Sequence, residues 1–122
     1  MEIIRIPRIM QDTSKGHLLR GRSVGLVPTM GALHEGHLSL VRRAKTENDI
    51  TVVSIFVNPM QFGPSEDFNK YPRDFDGDKE KLAKEEADIL FMPDVSLIYP
   101  RGFTANIEVK GISDKLCGAF RP

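Results

Sequence analysis

Residues 50–57, Ile50-Thr51-Val52-Val53-Ser54-Ile55-Phe56-Val57, form a nearly continuous apolar run that stops at Asn58-Pro59. A strand with one wet face alternates apolar and polar side chains. A run without that alternation suits a parallel strand covered on both faces. Such a strand needs helices on either side, and the flanking sequence offers them. Residues 3–6 are a short apolar run. Ile9, Met10, Leu18 and Leu19 fit a helix that Gly16 weakens. Residues 23–27 read as a strand stopped by Pro28. Residues 37–47 read as a helix with Leu38, Val41 and Ala44 on one face, and with Arg42, Arg43 and Lys45 on a solvated one. Residues 63–73, with Pro64 and Pro72, read as a loop. A second helix is expected over 76–87, its acids early as a helix start prefers. Residues 89–92 make a buried strand closed by Pro93, and 106–109 a further candidate. The β-α-β-α-β order predicts an α/β fold, a parallel sheet flanked by helices.

Composition narrows the function. With 40% hydrophobic and 28% charged residues in 122, the chain is an ordinary globular sequence and one domain at most. Seventeen basic and 17 acidic residues cancel, which argues against a dedicated nucleic-acid binder. Residues 1–62 hold 8 basic and 5 acidic side chains and residues 63–122 hold 9 and 12, so an anionic ligand is expected in the first half. Cys117 is the single cysteine, so no internal disulfide forms and a reducing, cytoplasmic home is expected. No activating partner for it as a nucleophile is evident. No apolar stretch has the length of a signal core or a membrane span, so membrane and secretory roles are not expected. After Lys115-Leu116-Cys117-Gly118 the sequence closes at Arg121-Pro122 without a terminal helix to seal the sheet, which reads as an incomplete domain.

In open parallel sheets ligands bind beyond the carboxyl ends of the strands. Two loops are expected there. The first is Pro28-Thr29-Met30-Gly31-Ala32-Leu33-His34-Glu35-Gly36-His37, and the second is Asn58-Pro59-Met60-Gln61-Phe62-Gly63. In the first, Gly31 and Gly36 permit close approach of backbone to a ligand. The following helix offers unpaired N–H groups and a positive dipole end. His34 and His37, three apart, share one side of a helical turn, where imidazoles can donate to phosphoryl oxygens. Taken singly, each is an ordinary turn or cap residue; clustered at a strand-to-helix junction they read as a phosphate site. In the second loop Asn58 and Gln61 are directional neutral groups beside apolar Met60 and Phe62, a mixture suited to a small hydroxyl- or carboxylate-bearing substrate. His17 stands apart in a polar stretch.

Three other motifs fail on residue identity or spacing. Gly31 to Leu38 carries His37 and Leu38 where a P-loop needs Lys and Ser or Thr. The histidines of a zinc protease helix are four apart, not three, and two histidines alone leave a metal short of ligands. Asp74, Asp76, Asp78 and Glu85 match acidic positions of a calcium loop, but Lys79 stands where that loop needs glycine. They read instead as acids at a helix start.

The first loop, together with Val57-Asn58-Pro59-Met60-Gln61-Phe62 and Tyr71-Pro72-Arg73, closely resembles pantothenate synthetase (pantoate–β-alanine ligase) along essentially the whole chain. His34-Glu35-Gly36-His37 looks like that family's form of the HIGH signature of adenylate-forming nucleotidyltransferases. The resemblance implies a Rossmann-like nucleotide-binding domain that condenses pantoate with β-alanine, consumes ATP with Mg²⁺, and releases AMP and pyrophosphate through a pantoyl adenylate. It implies that Met30, Gly31, Ala32, Leu33, His34, Glu35, Gly36 and His37 line the ATP site. His37 and His34 would be the catalytic donors, with no protein metal ligands. Gln61 and Asn58 would hold pantoate. It also implies a cytoplasmic homodimer as the whole protein. Family members run to roughly twice this length, so residues 1–122 correspond to an incomplete N-terminal nucleotide-binding domain. The family's C-terminal domain and KMSKS-like loop lie outside the sequence, and weak or no turnover is expected of these residues alone. Two alternatives stand beside this reading: another HIGH-motif nucleotidyltransferase acting on a different acid or a phosphorylated cofactor precursor, and a non-catalytic nucleotide-binding module.

Overall fold

The computed structural model describes residues 1–57 and 74–98. The second loop with Asn58 and Gln61, the 63–73 loop, the 106–109 strand and Cys117 lie outside the described residues. The elements run β1 (Glu2–Ile4), α1 (Pro7–Leu19), β2 (Val24–Thr29), α2 (Glu35–Glu47), β3 (Ile50–Ile55), α3 (Phe75–Lys84), β4 (Ile89–Phe91) and α4 (Val95–Ile98). The short α4 has no counterpart in the sequence-based reading.

The four strands form one sheet in the order β1-β4-β3-β2, and every pairing is parallel. The apolar run of β3 sits inside the sheet and is covered twice, as its lack of alternation predicts. Val53 and Leu90 face one side, where they pack with Val41 and Ala44 of α2 and Leu82 of α3. Val52 and Ile89 face the other, where they meet Met10 of α1 and Ile4. Val41, Val53, Leu82 and Leu90 are fully buried, and burial of such side chains stabilises by roughly 1.5–3 kcal/mol each. Helices on both faces of a parallel sheet define the α/β class.

Three boundaries correct the sequence reading. Pro28 does not stop β2, which continues to Thr29 and pairs Pro28 with Ser54. Ser23 and Thr29 accept from the N–H groups of Ile50 and Phe56. Odd-numbered residues therefore face β3, and the nitrogen of Pro28 faces the free edge of the sheet, where no ladder bond is lost. Helix α2 begins at Glu35 rather than at 37, with His34 as its N-cap. Helix α3 ends at Lys84 rather than at 87. Glu86 adopts φ +59°, its N–H reaches Ala83 O, and the N–H of Ala87 reaches Leu82 O. That is a Schellman motif made without glycine, and it turns Ala87 into the core.

Candidate functional site

Because the strands run one way, their carboxyl ends gather on one edge of the sheet. A cavity of about 410 Å³ lies there. Met30 and Gly31 beyond β2, Ile55 to Val57 at the end of β3 and Met92 to Asp94 beyond β4 line it, with Asp74, Phe75 and Asp78 of the α3 start as a wall. Its volume suits a small molecule or part of a nucleotide. Arg5, just past β1, also reaches the cavity and lies 5.4 Å from the centre of the Phe75 ring.

The loop from β2 to α2 is folded tightly by its own sequence and by α3. Thr29 Oγ1 donates to Ser54 O and accepts from the N–H of Gly31. Gly31 and Ala32 both take positive φ, +89° and +52°, a conformation costly for any residue but glycine. The carboxylate of Asp78 holds that turn, accepting from Ala32 N at 2.9 Å and Leu33 N at 2.8 Å. Asp78 is only 2% exposed, and a charge so buried persists only where it is hydrogen-bonded. Lys81, one turn on, donates from Nζ to Leu33 O at 2.9 Å. Leu33 itself is a core residue, 3% exposed. Its side chain and its N–H are therefore committed inside the protein.

The two histidines meet as their spacing predicts, with ring centroids 4.0 Å apart and planes tilted by 38°. His34 Nδ1 accepts from the N–H of Gly36 at 3.0 Å, and His37 Nδ1 accepts from the N–H of His34 at 3.2 Å. A ring nitrogen that accepts carries no proton, so each neutral ring keeps its proton on Nε2. The pair thus presents two imidazole N–H donors. Burial pushes the His37 pKa below its ordinary value, the neighbouring His34 adds to the fall, and the charge of Asp78 opposes it.

Two sequence-based expectations change in detail. The N–H of Gly36 is used by His34 rather than left for a ligand. The glycines make room for protein groups. A Cβ on Gly36 would stand 2.8 Å from His34 Cε1, and one on Gly31 would stand 3.3 Å from Asp78 Oδ2. The imidazole Nε2–H groups remain as side-chain donors at this helix start.

Arg42 is more than a solvated side chain. It bridges Glu35 of α2 and Glu85 beyond α3, with bonds from Nε and Nη2 to Glu85 at 2.9 and 2.8 Å. Its hydrogen bond and charge lower the Glu35 pKa, and the two carboxylates raise its own. Lys45 donates to the Glu86 carbonyl at 2.6 Å. Arg43 does stay on the outside, paired with Glu47 one turn away. His17 contacts Arg22 at the end of α1, away from the strands' carboxyl ends.

A family model for pantoate-beta-alanine ligase matches residues 2–122. The chain belongs to the pantoate–β-alanine ligase family. It is 62% identical over its whole length to the pantothenate synthetase of Thermodesulfovibrio yellowstonii, of which it covers 44%. It is 54% identical, again over its whole length, to that of Thermosipho melanesiensis, of which it covers 44%. Among solved structures, the Thermus thermophilus pantothenate synthetase superposes with a TM-score of 0.74 at 42% identity, over 100% of this chain and 43% of that one. A Francisella tularensis pantoate-beta-alanine ligase complexed with beta-gamma ATP and beta-alanine superposes at 0.80 and 42% identity, over 100% and 47%. The chain therefore spans less than half the length of the ligases it matches. Among the described residues no helix is long and apolar enough to cross a membrane, and no group of three His, Cys, Asp or Glu side chains gathers to hold a metal ion.

The sequence reading missed Asp78 and Lys81 as shapers of this site. A signal for the burial of Asp78 was present, though not for its partners. Asp78 stands four residues before Leu82 and Lys81 three after Asp78, so the helix puts this carboxylate on the face that Leu82 buries.

Proposed function

We propose that this chain is the nucleotide-binding part of an ATP-dependent, AMP-forming ligase that joins pantoate to β-alanine through a pantoyl adenylate. The observation that carries this reading is the His34–His37 pair, two Nε2–H donors at the start of α2 on the sheet edge that holds the cavity. In the first step a pantoate carboxylate oxygen bonds to the α-phosphorus of ATP, the bond from that phosphorus to the bridging oxygen breaks, and pyrophosphate leaves. In the second the amine of β-alanine bonds to the acyl carbon, the acyl–oxygen bond breaks, AMP leaves with that oxygen, and the amine's proton passes to solvent.

Charge grows on phosphate oxygens as pyrophosphate departs. Fixed N–H donors aimed at that charge stabilise the transition state more than the ground state. His37 and His34 are the proposed catalytic donors. Met30 and Gly31 would line the nucleotide cavity, while Ala32, Leu33, Glu35 and Gly36 shape the loop. Asn58 and Gln61 would hold pantoate. Mg²⁺ would enter with the triphosphate as Mg·ATP, in keeping with its habit of binding phosphates and water with few protein carboxylates. The whole protein is proposed to be a cytoplasmic homodimer, and residues 1–122 alone to turn over weakly or not at all.

Three measurements test this. In the whole enzyme, His37→Gln should lower pantoate-dependent ATP–pyrophosphate exchange about 10²–10³-fold; an unchanged rate sinks the assignment. Titration of Mg·ATP into the 122-residue chain should shift the imidazole signals of His34 and His37 and leave His17 in place. Robust exchange by that short chain would overturn the expectation of weak turnover.

A further inference from the structure

The peptide unit joining Leu33 to His34 is held at both ends. Its carbonyl accepts from Lys81 Nζ at 2.9 Å, and its N–H donates to His37 Nδ1 at 3.2 Å. The preceding two N–H groups, of Ala32 and Leu33, are both taken by the carboxylate of Asp78. A chain of hydrogen bonds thus runs from α3 through one peptide plane to the ring of His37. The turn it fixes is not one the sequence would choose freely, since Ala32 sits at φ +52°.

We infer that Asp78 and Lys81 are positioning residues for the reaction: α3 clamps the 30–37 loop and so sets the orientation of the His34–His37 donor pair. The inference rests on the ligase reading for its consequence in catalysis, but not for the clamp itself. Asp78 is not offered as a catalytic group. Its oxygens are spent on Ala32 and Leu33, and it acts through the loop. Lys81 differs from a phosphate-binding lysine in the same way, because its ammonium is engaged by Leu33 O. An ammonium on the carbonyl also polarises the peptide, which strengthens the N–H bond to His37 on its other side.

The test uses the whole enzyme with Asp78→Asn and Lys81→Met. Asparagine keeps the shape of Asp78 but turns one acceptor into an NH₂ that faces a backbone N–H. Lys81→Met leaves the core and the carboxylate intact and frees the Leu33 carbonyl, so it serves if Asp78→Asn does not fold. Asp76→Asn, on an exposed residue of the same helix turn, controls for the loss of a charge. Ring ¹⁵N spectra are recorded first without ligand. In the wild type His37 Nδ1 should read as a hydrogen-bonded acceptor with the proton on Nε2. In Lys81→Met and Asp78→Asn that signal should move and the tautomer mix should broaden, whereas Asp76→Asn should match the wild type. Exchange kinetics should then fall about 10- to 100-fold, mostly in kcat, as expected for misplaced donors. Ring nitrogens that stay put in both clamp variants overturn the inference, as does exchange within about threefold of wild type in both. If the wild-type rings ignore Mg·ATP while the clamp variants still move them, the ligase reading fails and the clamp stands.

Discussion

His37 Nδ1 accepts the backbone N–H of His34, the residue that caps the helix His37 belongs to. Protonation of His37 would place a proton on the nitrogen that this N–H already fills. Burial favours the neutral form most, the nearby His34 ring adds to it, and the charge of Asp78 opposes it.

The folded pKa of His37 is therefore expected below 6.5, its ordinary value. The sign follows from linkage. A lowered folded pKa contributes stability that is complete above 6.5 and is lost as pH falls through the lower folded value. An NMR titration should put the His37 midpoint below 6.5, its ordinary value. Urea midpoints should drop more steeply with acid in the wild type than in His37→Gln. A His37 midpoint at or above the ordinary value would show that the charge of Asp78 outweighs burial and the His34 ring.

Thr51 Oγ1 is buried in β3 and has no hydrogen-bond partner among the described residues, although its backbone N–H donates to Asp88 at 2.7 Å and its carbonyl accepts from Asp88 N. An orphaned buried hydroxyl costs roughly 1–3 kcal/mol. Thr51→Val keeps the shape and removes the polar atom. It should raise unfolding stability by about 1 kcal/mol without touching the cavity, whose lining does not include residue 51. Loss of stability in a denaturant melt would mean that the hydroxyl has a partner after all.

The parallel sheet was legible because such strands leave a plain mark, nearly continuous apolar runs such as 50–57 and 89–92. The meeting of His34 and His37 was legible from a three-residue spacing alone. The roles of Gly31 and Gly36 were only half legible. Sequence says that a glycine is wanted at such a place but not why: at Gly36 the His34 ring leaves no room for a Cβ, while at Gly31 a positive φ is joined by tight contact with Asp78 and Ile55. Asp78 was hidden for a different reason. Acids are common at helix starts, and only knowledge of which face Leu82 buries separates a clamp from a solvated carboxylate. The clamp joins residues 45 to 48 positions apart, a pairing no local pattern encodes. Pro28 misled because its penalty depends on which side of the strand its nitrogen faces.

Glu86 pays the left-handed backbone cost at the end of α3, at φ +59° on an exposed position. Glycine adopts that conformation freely. Glu86→Gly should therefore stabilise the fold by about 0.5–1 kcal/mol, against the usual loss on introducing glycine. The Lys45 bond goes to the backbone carbonyl of residue 86, so it survives the change. Thermal melts of the two proteins decide the sign, and a lower Tm for the variant would show that the Glu86 side chain contributes more than its backbone costs.

Gly36→Ala is the opposite case. Gly36 lies in the first turn of α2 at a negative φ, where alanine usually gains up to about 1 kcal/mol. Here the new Cβ would fall 2.8 Å from His34 Cε1 and 3.0 Å from Nδ1. The imidazole must swing away and give up its bond to the Gly36 N–H, a cap worth about 1 kcal/mol. The two effects oppose each other, so stability should change little. The ring pair should nonetheless come apart, because His34 can no longer keep its place against His37. The expected signature is a folded variant with an ordinary Tm whose His34 imidazole no longer responds to Mg·ATP. A wild-type response in Gly36→Ala would show that the cap does not hold His34 in its ligand-facing position.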